Sequence, residues 1–336
     1  MGDRPSVAIV GAGITGLTSA RTLRSCCDVV VLDKARGVGG RMATRRIGEA
    51  TIDHGAQFLT THTGRFTEMV GHWEAEGIAT PWFSARVGTR GLEDQAPEVA
   101  DGHIRYRGVR SMNDIAKHLA GGSDVRREQR VESVSIVDGA WRLRAASYET
   151  HVDAVILTAP VPQSLQMIEA GQVQLARSDR EALDAIAYDP CLAALVPLSG
   201  PSGLPEPGAV DPASGPIDWM ADNQTKGVSE SPAVTIHASA EESRRLWRSP
   251  DEAVLSSLLG AAELDSPPIA GASQVQRWRY ARPVVSHPDR CLVASGLPPL
   301  VLAGDAFGEP RVEGAVLSGL AAAAAIARLS GVAQLD

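Results

Sequence analysis

The feature that most constrains this chain lies in its first forty residues. Val7-Ala8-Ile9-Val10 is an apolar run of strand length. Gly11-Ala12-Gly13-Ile14-Thr15-Gly16 follows at once, Leu17, Ala20 and Leu23 continue at helical spacing, and a second apolar run, Val29-Val30-Val31-Leu32, ends on Asp33. Strand, glycine turn, helix, strand and an acid about twenty positions on make a βαβ unit with a dinucleotide fingerprint. Gly11 permits the tight turn, Gly13 removes a Cβ so that backbone can approach a pyrophosphate, and Gly16 lets the helix pack closely on the strand. The helix start, with Ala12 and Thr15 in the same turn, offers free N–H groups and a positive dipole end to phosphates. Asp33 is placed to accept hydrogen bonds from ribose hydroxyls. Its charge disfavours a 2′-phosphate there. With 33 glycines in the chain the glycine spacing alone would be weak, so the ordered elements around it carry the inference. The fingerprint serves NAD and FAD alike.

The next residues separate the two. Lys34-Ala35-Arg36-Gly37-Val38-Gly39-Gly40-Arg41-Met42 is a glycine-rich loop ending in a basic residue. It resembles the extended motif of glutathione-reductase-like flavoproteins, especially their amine-oxidase branch. The resemblance implies that Lys34, Gly40 and Arg41 line the adenosine-diphosphate end of FAD. Downstream, Asp53-His54-Gly55-Ala56-Gln57 resembles a loop that such proteins place beside the isoalloxazine ring. Small residues at 55 and 56 suit a backbone pressed against a flat cofactor. Gln57 is then expected to hydrogen-bond a ring edge or substrate, with Thr60, Thr61 and His62 as polar neighbours. His54 reads as structural.

The chain's 336 residues suit two domains or one large α/β body, and 44% hydrophobic residues provide a sizeable core. A net charge of −8 argues against nucleic acid as a general partner. The four cysteines, Cys26 and Cys27 adjacent and Cys191 and Cys291 alone, have no metal-ligand spacing. They point to a reducing compartment. The expectation is a soluble cytoplasmic monomer or homodimer without metal or membrane. The most apolar stretch, 319–326, is too short to span a bilayer.

Along the chain, Phe66, Met69, Val70 and Trp73 predict a helix over 66–76, and Met112, Ile115, Ala116 and Leu119 another over 108–119. Strands are expected within 81–106, at 125–127, 130–134, 154–160 and 234–238, a hairpin over 141–148, and helix over 239–259 with a break at Pro250. Leu300-Val301-Leu302-Ala303-Gly304-Asp305 is a buried strand ending in Gly-Asp, and 312–329 is a long helix. The fold class is α/β, a Rossmann-like FAD domain interleaved with a smaller mixed sheet-and-helix substrate domain. The expected boundaries are 1–75, 106–162 and 274–336 for the first and 76–105 and 163–273 for the second.

Taken together, Asp33-Lys34, Gly39-Gly40-Arg41-Met42, Gly55-Ala56-Gln57, Leu157-Thr158-Ala159-Pro160-Val161-Pro162, Ile236-His237, Gln276-Arg277-Trp278-Arg279 and Gly304-Asp305 resemble the bacterial renalases. The resemblance implies non-covalent FAD, with Val131 returning to its adenine end and Asp305 binding a ribityl hydroxyl. The helix beginning at Val312 then points at the flavin N1 and C2 carbonyl. It also implies oxidation of 2-dihydro and 6-dihydro isomers of NAD(P)H to β-NAD(P)+, with hydride passing to flavin N5 and oxygen reduced to hydrogen peroxide. A dihydropyridine loses hydride without prior deprotonation, so no catalytic acid–base residue is expected and placement does the work. Substrate contacts are expected from Gln57, Thr60, Thr61, Asn223 and His237. Trp278 is either a pocket wall or a core tryptophan. Arg277, Arg279, Arg282 and Arg311 either meet a dinucleotide's charge or solvate the surface. Of only three lysines, Lys34 belongs to the dinucleotide loop, Lys117 to a helix and Lys226 to a polar loop, which weighs against a flavin-facing lysine. The alternatives are a flavin amine oxidase or desaturase, and a non-catalytic flavin-binding protein.

Overall fold

The computed structural model describes residues 4–84, 102–212 and 214–332. Part of the expected strand region, 85–101, lies outside the described residues. The chain divides into two compact units, Met1–Gly40 with Ala116–Ala187 and Pro283–Asp336, and Arg41–Ile115 with Tyr188–Arg282. The cuts differ from those read in the sequence: 41–75, 106–115 and 274–282 belong to the second unit, and 163–187 to the first. The reason is packing. The hairpin of Thr44–Ile47 and Ala50–Asp53 buries Ala50 and Ile52 with Ala193, Leu195 and Ala233, and the helix Val161–Ala170 lies on the strand Val131–Val137.

In the first unit six strands form one sheet, in the spatial order Leu292–Val293, Leu300–Leu302, Ala154–Leu157, Ser6–Val10, Asp28–Leu32, Asp124–Arg126. All pairings are parallel except that of Leu292–Val293. Val7, Ala8 and Ile9 are wholly buried, as expected of a central parallel strand covered on both faces, and their unbroken apolar run reflects it. The expected hairpin is part of a three-stranded antiparallel meander, Val131–Val137, Ala140–Ala145 and Tyr148–Val152. The helix Ile14–Leu23 packs along the C-terminal helix Val312–Leu329 through small residues. A Cβ at Gly319 would press on the Thr15 carbonyl and the Thr18 side chain. Thr15 Oγ1 donates to Ala315 O (2.9 Å) and Ser19 Oγ to Gly319 O (2.8 Å). The C-terminal helix is long and apolar enough to cross a membrane by length and composition, but 67% of it is buried, as in a core helix.

In the second unit the sheet runs Ala209–Val210, Ile217–Asp222, Ala233–Ala238, Ala187–Pro197, Gln274–Val285, and its first four strands pair antiparallel. One face packs Met220, Val234, Ile236 and Ala238 against Leu246, Val254, Leu258 and Ala262. The region read as a broken helix is two helices, Ala240–Arg245 capped by Ser239, and Asp251–Ala262 started after Pro250. Thr63 caps the helix Gly64–Ala75, whose buried stripe is Phe66, Val70 and Trp73.

Candidate functional site

The glycine turn of the first unit is built as an anion cradle. Gly11 has φ +113, and a Cβ there would collide with Thr158 Oγ1. Thr158 in turn donates to Val10 O (2.9 Å) and Gly11 O (3.2 Å), locking the turn. A Cβ at Gly16 would overlap the Gly11 carbonyl, whereas one at Gly13 would meet nothing within 4 Å. So Gly11 and Gly16 are needed by the protein's own packing, and Gly13 keeps an outward face clear. The first helix has no side-chain cap. Among the described residues the N–H groups of Thr15 and Gly16 have no acceptor, the condition for binding phosphate. Asp33 accepts from the N–H of Ala12 (2.6 Å) and of Ala35 (2.7 Å), so it braces the turn and keeps further lone pairs. Gly39 N–H donates to Ala12 O (2.8 Å), and a Cβ at Gly40 would touch Gly13 Cα. Lys34 Nζ is 3.1 Å from Gln163 Oε1.

At the other end of this unit Gly304, with φ +148, donates its N–H to Ser318 Oγ (2.8 Å), and Asp305 is half-buried beside it. Val312 opens a helix that has no side-chain cap at Arg311. Val131 is buried at the start of its strand. The Thr15 hydroxyl is committed to Ala315 O, so it is the backbone N–H of Thr15 that is left for a ligand.

The second unit gathers the other predicted residues around the turn after Asp53. Asp53 is wholly buried and accepts from Lys226 Nζ (2.8 Å), Thr44 Oγ1 (2.6 Å) and Met112 N (3.1 Å). Lys226 Nζ also donates to Gln57 Oε1 (3.2 Å) and lies 5.1 Å from the Trp82 ring centroid. Burial lowers the Lys226 pKa, and the Asp53 carboxylate opposes that. Gln57 Nε2 donates to Asp53 O (2.7 Å) and Gly55 O (3.1 Å). This corrects two readings. Lys226, read as a polar-loop residue, sits in a buried ion pair, and the Gln57 side chain is buried and bonded within the protein rather than presented to a ring. Asn223 is likewise used by the fold: it is fully buried, its Nδ2 reaches Ala233 O and Thr235 Oγ1, and its Oδ1 accepts from Asp53 N. Ala56 N–H donates to Arg41 O (2.8 Å), and a Cβ at Gly55 would overlap that same carbonyl. The Arg41 guanidinium donates to the carbonyls of Tyr280 (3.1 Å) and Ala281 (3.3 Å).

His237 and Trp219 face each other on paired strands, and both are half-buried. His237 Nε2, Trp219 Nε1 and His54 Nδ1 are buried without a hydrogen-bond partner among the described residues. Burial pulls the pKa of His237 from 6.5 to about 4, the His54 carbonyl opposing it. Burial, then Arg45, takes His54 to about 4 as well. Both rings are therefore neutral at ordinary pH. Aromatic rings cluster here: Phe58–Trp219 at 5.4 Å, Phe58–Phe83 at 6.2 Å, Trp82–Phe83 at 4.8 Å. Thr60 Oγ1 lies 3.0 Å from His62 Nε2, and Thr61 is half-buried next to it. Trp278 stacks on His54 at 5.4 Å and donates to His54 O (2.8 Å), so it belongs to the turn's support. Arg277 pairs with Asp251, Arg282 with Asp189 and Arg311 with Glu309, while Arg279 lies over the Tyr280 ring. The sequence reading missed the Asp53–Lys226 pair. Its one signal was an acid and a lysine in an otherwise lysine-poor chain.

A parallel α/β sheet with a glycine-turn cradle, joined to an antiparallel sheet unit, defines a dinucleotide-type cofactor-binding protein. Comparison with known families narrows this. Residues 9–73 match the NAD(P)-binding Rossmann-like domain, and residues 93–327 match the flavin containing amine oxidoreductase family. The chain belongs to that family of flavin-containing oxidoreductases. It is 27% identical over 199 residues to renalase of Mus musculus, a match covering 54% of this chain and 55% of the relative, so it spans about half that relative's length. Among solved structures, one described as a protoporphyrinogen oxidase of Exiguobacterium sp. 255-15 superposes with TM-score 0.74 at 14% identity, covering 97% of this chain and 99% of the other. Wild-type putrescine oxidase bound to putrescine gives 0.66 at 16%, covering 97% and 99%. These two likenesses show the fold. The first unit fits a flavin nucleotide: the face of Gly13 is clear, the helix amides are uncapped, and Asp33 is held with lone pairs to offer.

Proposed function

We propose that the protein is an FAD-dependent oxidase that converts 2-dihydro and 6-dihydro isomers of NAD(P)H to β-NAD(P)+ and reduces oxygen to hydrogen peroxide, a metabolite-repair activity in the cytoplasm. The renalase relative and the motif set shared with bacterial renalases suggest it. The observation that carries it at the site is the His237–Trp219 pair. A neutral imidazole with an unpartnered Nε2 stands opposite an indole whose N–H is unpartnered. Half-exposed aromatic rings stand beside them. An uncharged ring bearing a carboxamide complements such a pair with one donor and one acceptor.

In this reading Gly11, Ala12, Gly13, Gly16 and Asp33, with Lys34 and Gly40, hold the adenosine-diphosphate end of non-covalently bound FAD, and Asp305 takes a ribityl hydroxyl. Thr60, Thr61 and His237 orient the dihydropyridine. Flavin, when bound, accepts hydride and passes its electrons to oxygen. No side chain has to remove a proton, which agrees with two neutral histidines and a lysine tied to Asp53.

The family's name favours a second reading, oxidation of an amine. Anaerobic mixing separates the two. Holoprotein is combined with each dihydro isomer, with ordinary NADH and with a panel of amines, and flavin absorbance is followed. Bleaching by an isomer and not by NADH is expected; bleaching by amines alone overturns the proposal. His237→Phe is expected to raise the KM for the isomer about tenfold at unchanged flavin content, since one hydrogen-bonding partner is lost.

A further inference from the structure

Cys26 and Cys27 stand side by side in the turn between the helix Ile14–Leu23 and the strand Asp28–Leu32, and neither the cofactor cradle nor the reaction uses them. The turn is firmly held. Both of their backbone N–H groups donate to Leu23 O, at 2.9 and 2.8 Å. The Arg4 guanidinium donates to the carbonyls of Arg24 and Cys27, each at 2.6 Å, and pairs with Asp28 at 3.2 Å. On this frame the two sulfurs lie 3.7 Å apart. Cys27 is buried and Cys26 half-buried, so the pair is reached from the Cys26 side. Burial, then the bond to Cys26, pushes the Cys27 thiol up to about 12, so it is protonated at neutral pH.

The separation and the surroundings sort the chemistry such a pair can do. A disulfide needs sulfurs about 2.05 Å apart, so oxidation has to draw them together by well over an ångström within a braced turn. A protonated thiol is also a poor nucleophile for it. A cation held between two sulfurs in a line needs them about 4.6 Å apart, twice a metal–thiolate bond of ~2.3 Å. Tetrahedral zinc accepts the observed spacing but asks for four ligands. Among the described residues no group of three or more His, Cys, Asp and Glu side chains is placed to hold a metal ion. A centre that is complete with two sulfurs, and bonds them at close to a right angle, needs roughly 3.3 Å on the same bond length. Trivalent arsenic carrying one organic group is such a centre: pyramidal, thiophilic, and with its third position filled by its own carbon.

We propose that Cys26 and Cys27 form a bidentate dithiol site for monosubstituted trivalent arsenicals. An oxide R–As=O condenses with the two thiols. Both S–H bonds break, two As–S bonds form, and the two hydrogens leave with the oxide oxygen as water. Arsenic stays trivalent, so nothing is oxidised or reduced. Neutral thiols suffice, and the sulfurs have only to close slightly. The site lies within the first unit and is independent of the reaction proposed above.

The probe is phenylarsine oxide, titrated into holoprotein with its thiols reduced and read by intact mass, thiol count after denaturation, Tm and flavin absorbance. One phenylarsenic per chain is expected, with two of the four thiols consumed. The flavin is expected to stay bound and Tm not to fall, since the folded turn already holds the sulfurs near the bonded spacing. 2,3-Dimercaptopropanol is expected to strip the adduct, and an excess of monothiol to leave it. Cys26→Ser is expected to weaken binding by about a hundredfold or more, because the second As–S bond forms at the effective concentration of a neighbouring group. Cys191→Ser combined with Cys291→Ser is expected to bind as wild type does. Wild-type affinity in Cys26→Ser, loss of the adduct in the Cys191, Cys291 variant, or consumption of one thiol only overturns the proposal. So does an adduct that forms only with release of flavin or a fall in Tm, because the turn then has to open first. If the Cys191, Cys291 variant does not fold, proteolytic fragments of the wild-type adduct locate the arsenic, and a labelled fragment lacking Cys26 and Cys27 overturns the assignment.

Discussion

At the scale of single residues, the three glycines of the fingerprint do different jobs, and substitution separates them. Gly16→Ala drives a methyl into the Gly11 carbonyl, and Gly11→Ala needs both an unfavourable φ and room that Thr158 occupies. Each is expected to cost about 1–3 kcal/mol of stability with or without flavin, measured by denaturant unfolding. Gly13→Ala meets no protein atom. It is expected to leave apoprotein stability unchanged and to weaken FAD by about tenfold or more, because the methyl stands where the pyrophosphate would approach. Equal effects at Gly13 and Gly16 would contradict the cradle.

The histidines also make a residue-scale prediction. His54 and His237 have folded pKa values lowered from 6.5 to about 4. The unfolded chain therefore binds more protons than the folded one between those values. Their contribution is complete above pH 6.5 and is lost as pH falls towards 4, with about two protons taken up on unfolding at the midpoint of that window. Tm measured from pH 7 to 4 is expected to fall, with a shallower slope in His237→Phe.

At the scale of elements, the helices Ile14–Leu23 and Val312–Leu329 cross at close range through small residues. Gly319 faces the Thr15 carbonyl, and Thr15 and Ser19 hydroxyls satisfy carbonyls of the opposite helix. Gly319→Val is expected to force the helices apart at a cost of about 1–3 kcal/mol or more, read as lowered Tm. The Asp33 and Asp305 motifs were legible because each is local: strand, turn and helix follow one another in sequence. The two helices of residues 240–262 were also nearly legible, since Ser239 and Pro250 mark their starts. The sheet order was not, because Ala154–Leu157 inserts beside Ser6–Val10 across well over a hundred intervening residues.

At the scale of the whole molecule, ligand binding should report the cofactor. FAD bound to the folded state alone raises stability by about 2.7 kcal/mol at a hundredfold excess over its Kd. A rise in Tm with FAD concentration, absent with free riboflavin lacking the diphosphate, is the expected result. Sequence alone determined the α/β class and the dinucleotide fingerprint, since these rest on short-range patterns of apolar runs, glycines and acids. Tertiary structure decided where the units divide and what the polar residues of the second unit do. Asn223 and Lys226 read as turn and loop residues because their neighbours in sequence are polar, and Gln57 read as a contact to a ring edge or substrate. They are buried because Asp53, distant in sequence from two of them, lies in the same place and supplies the charge and carbonyl that make burial tolerable. No local pattern encodes that meeting; only the folded chain brings the partners within hydrogen-bond range.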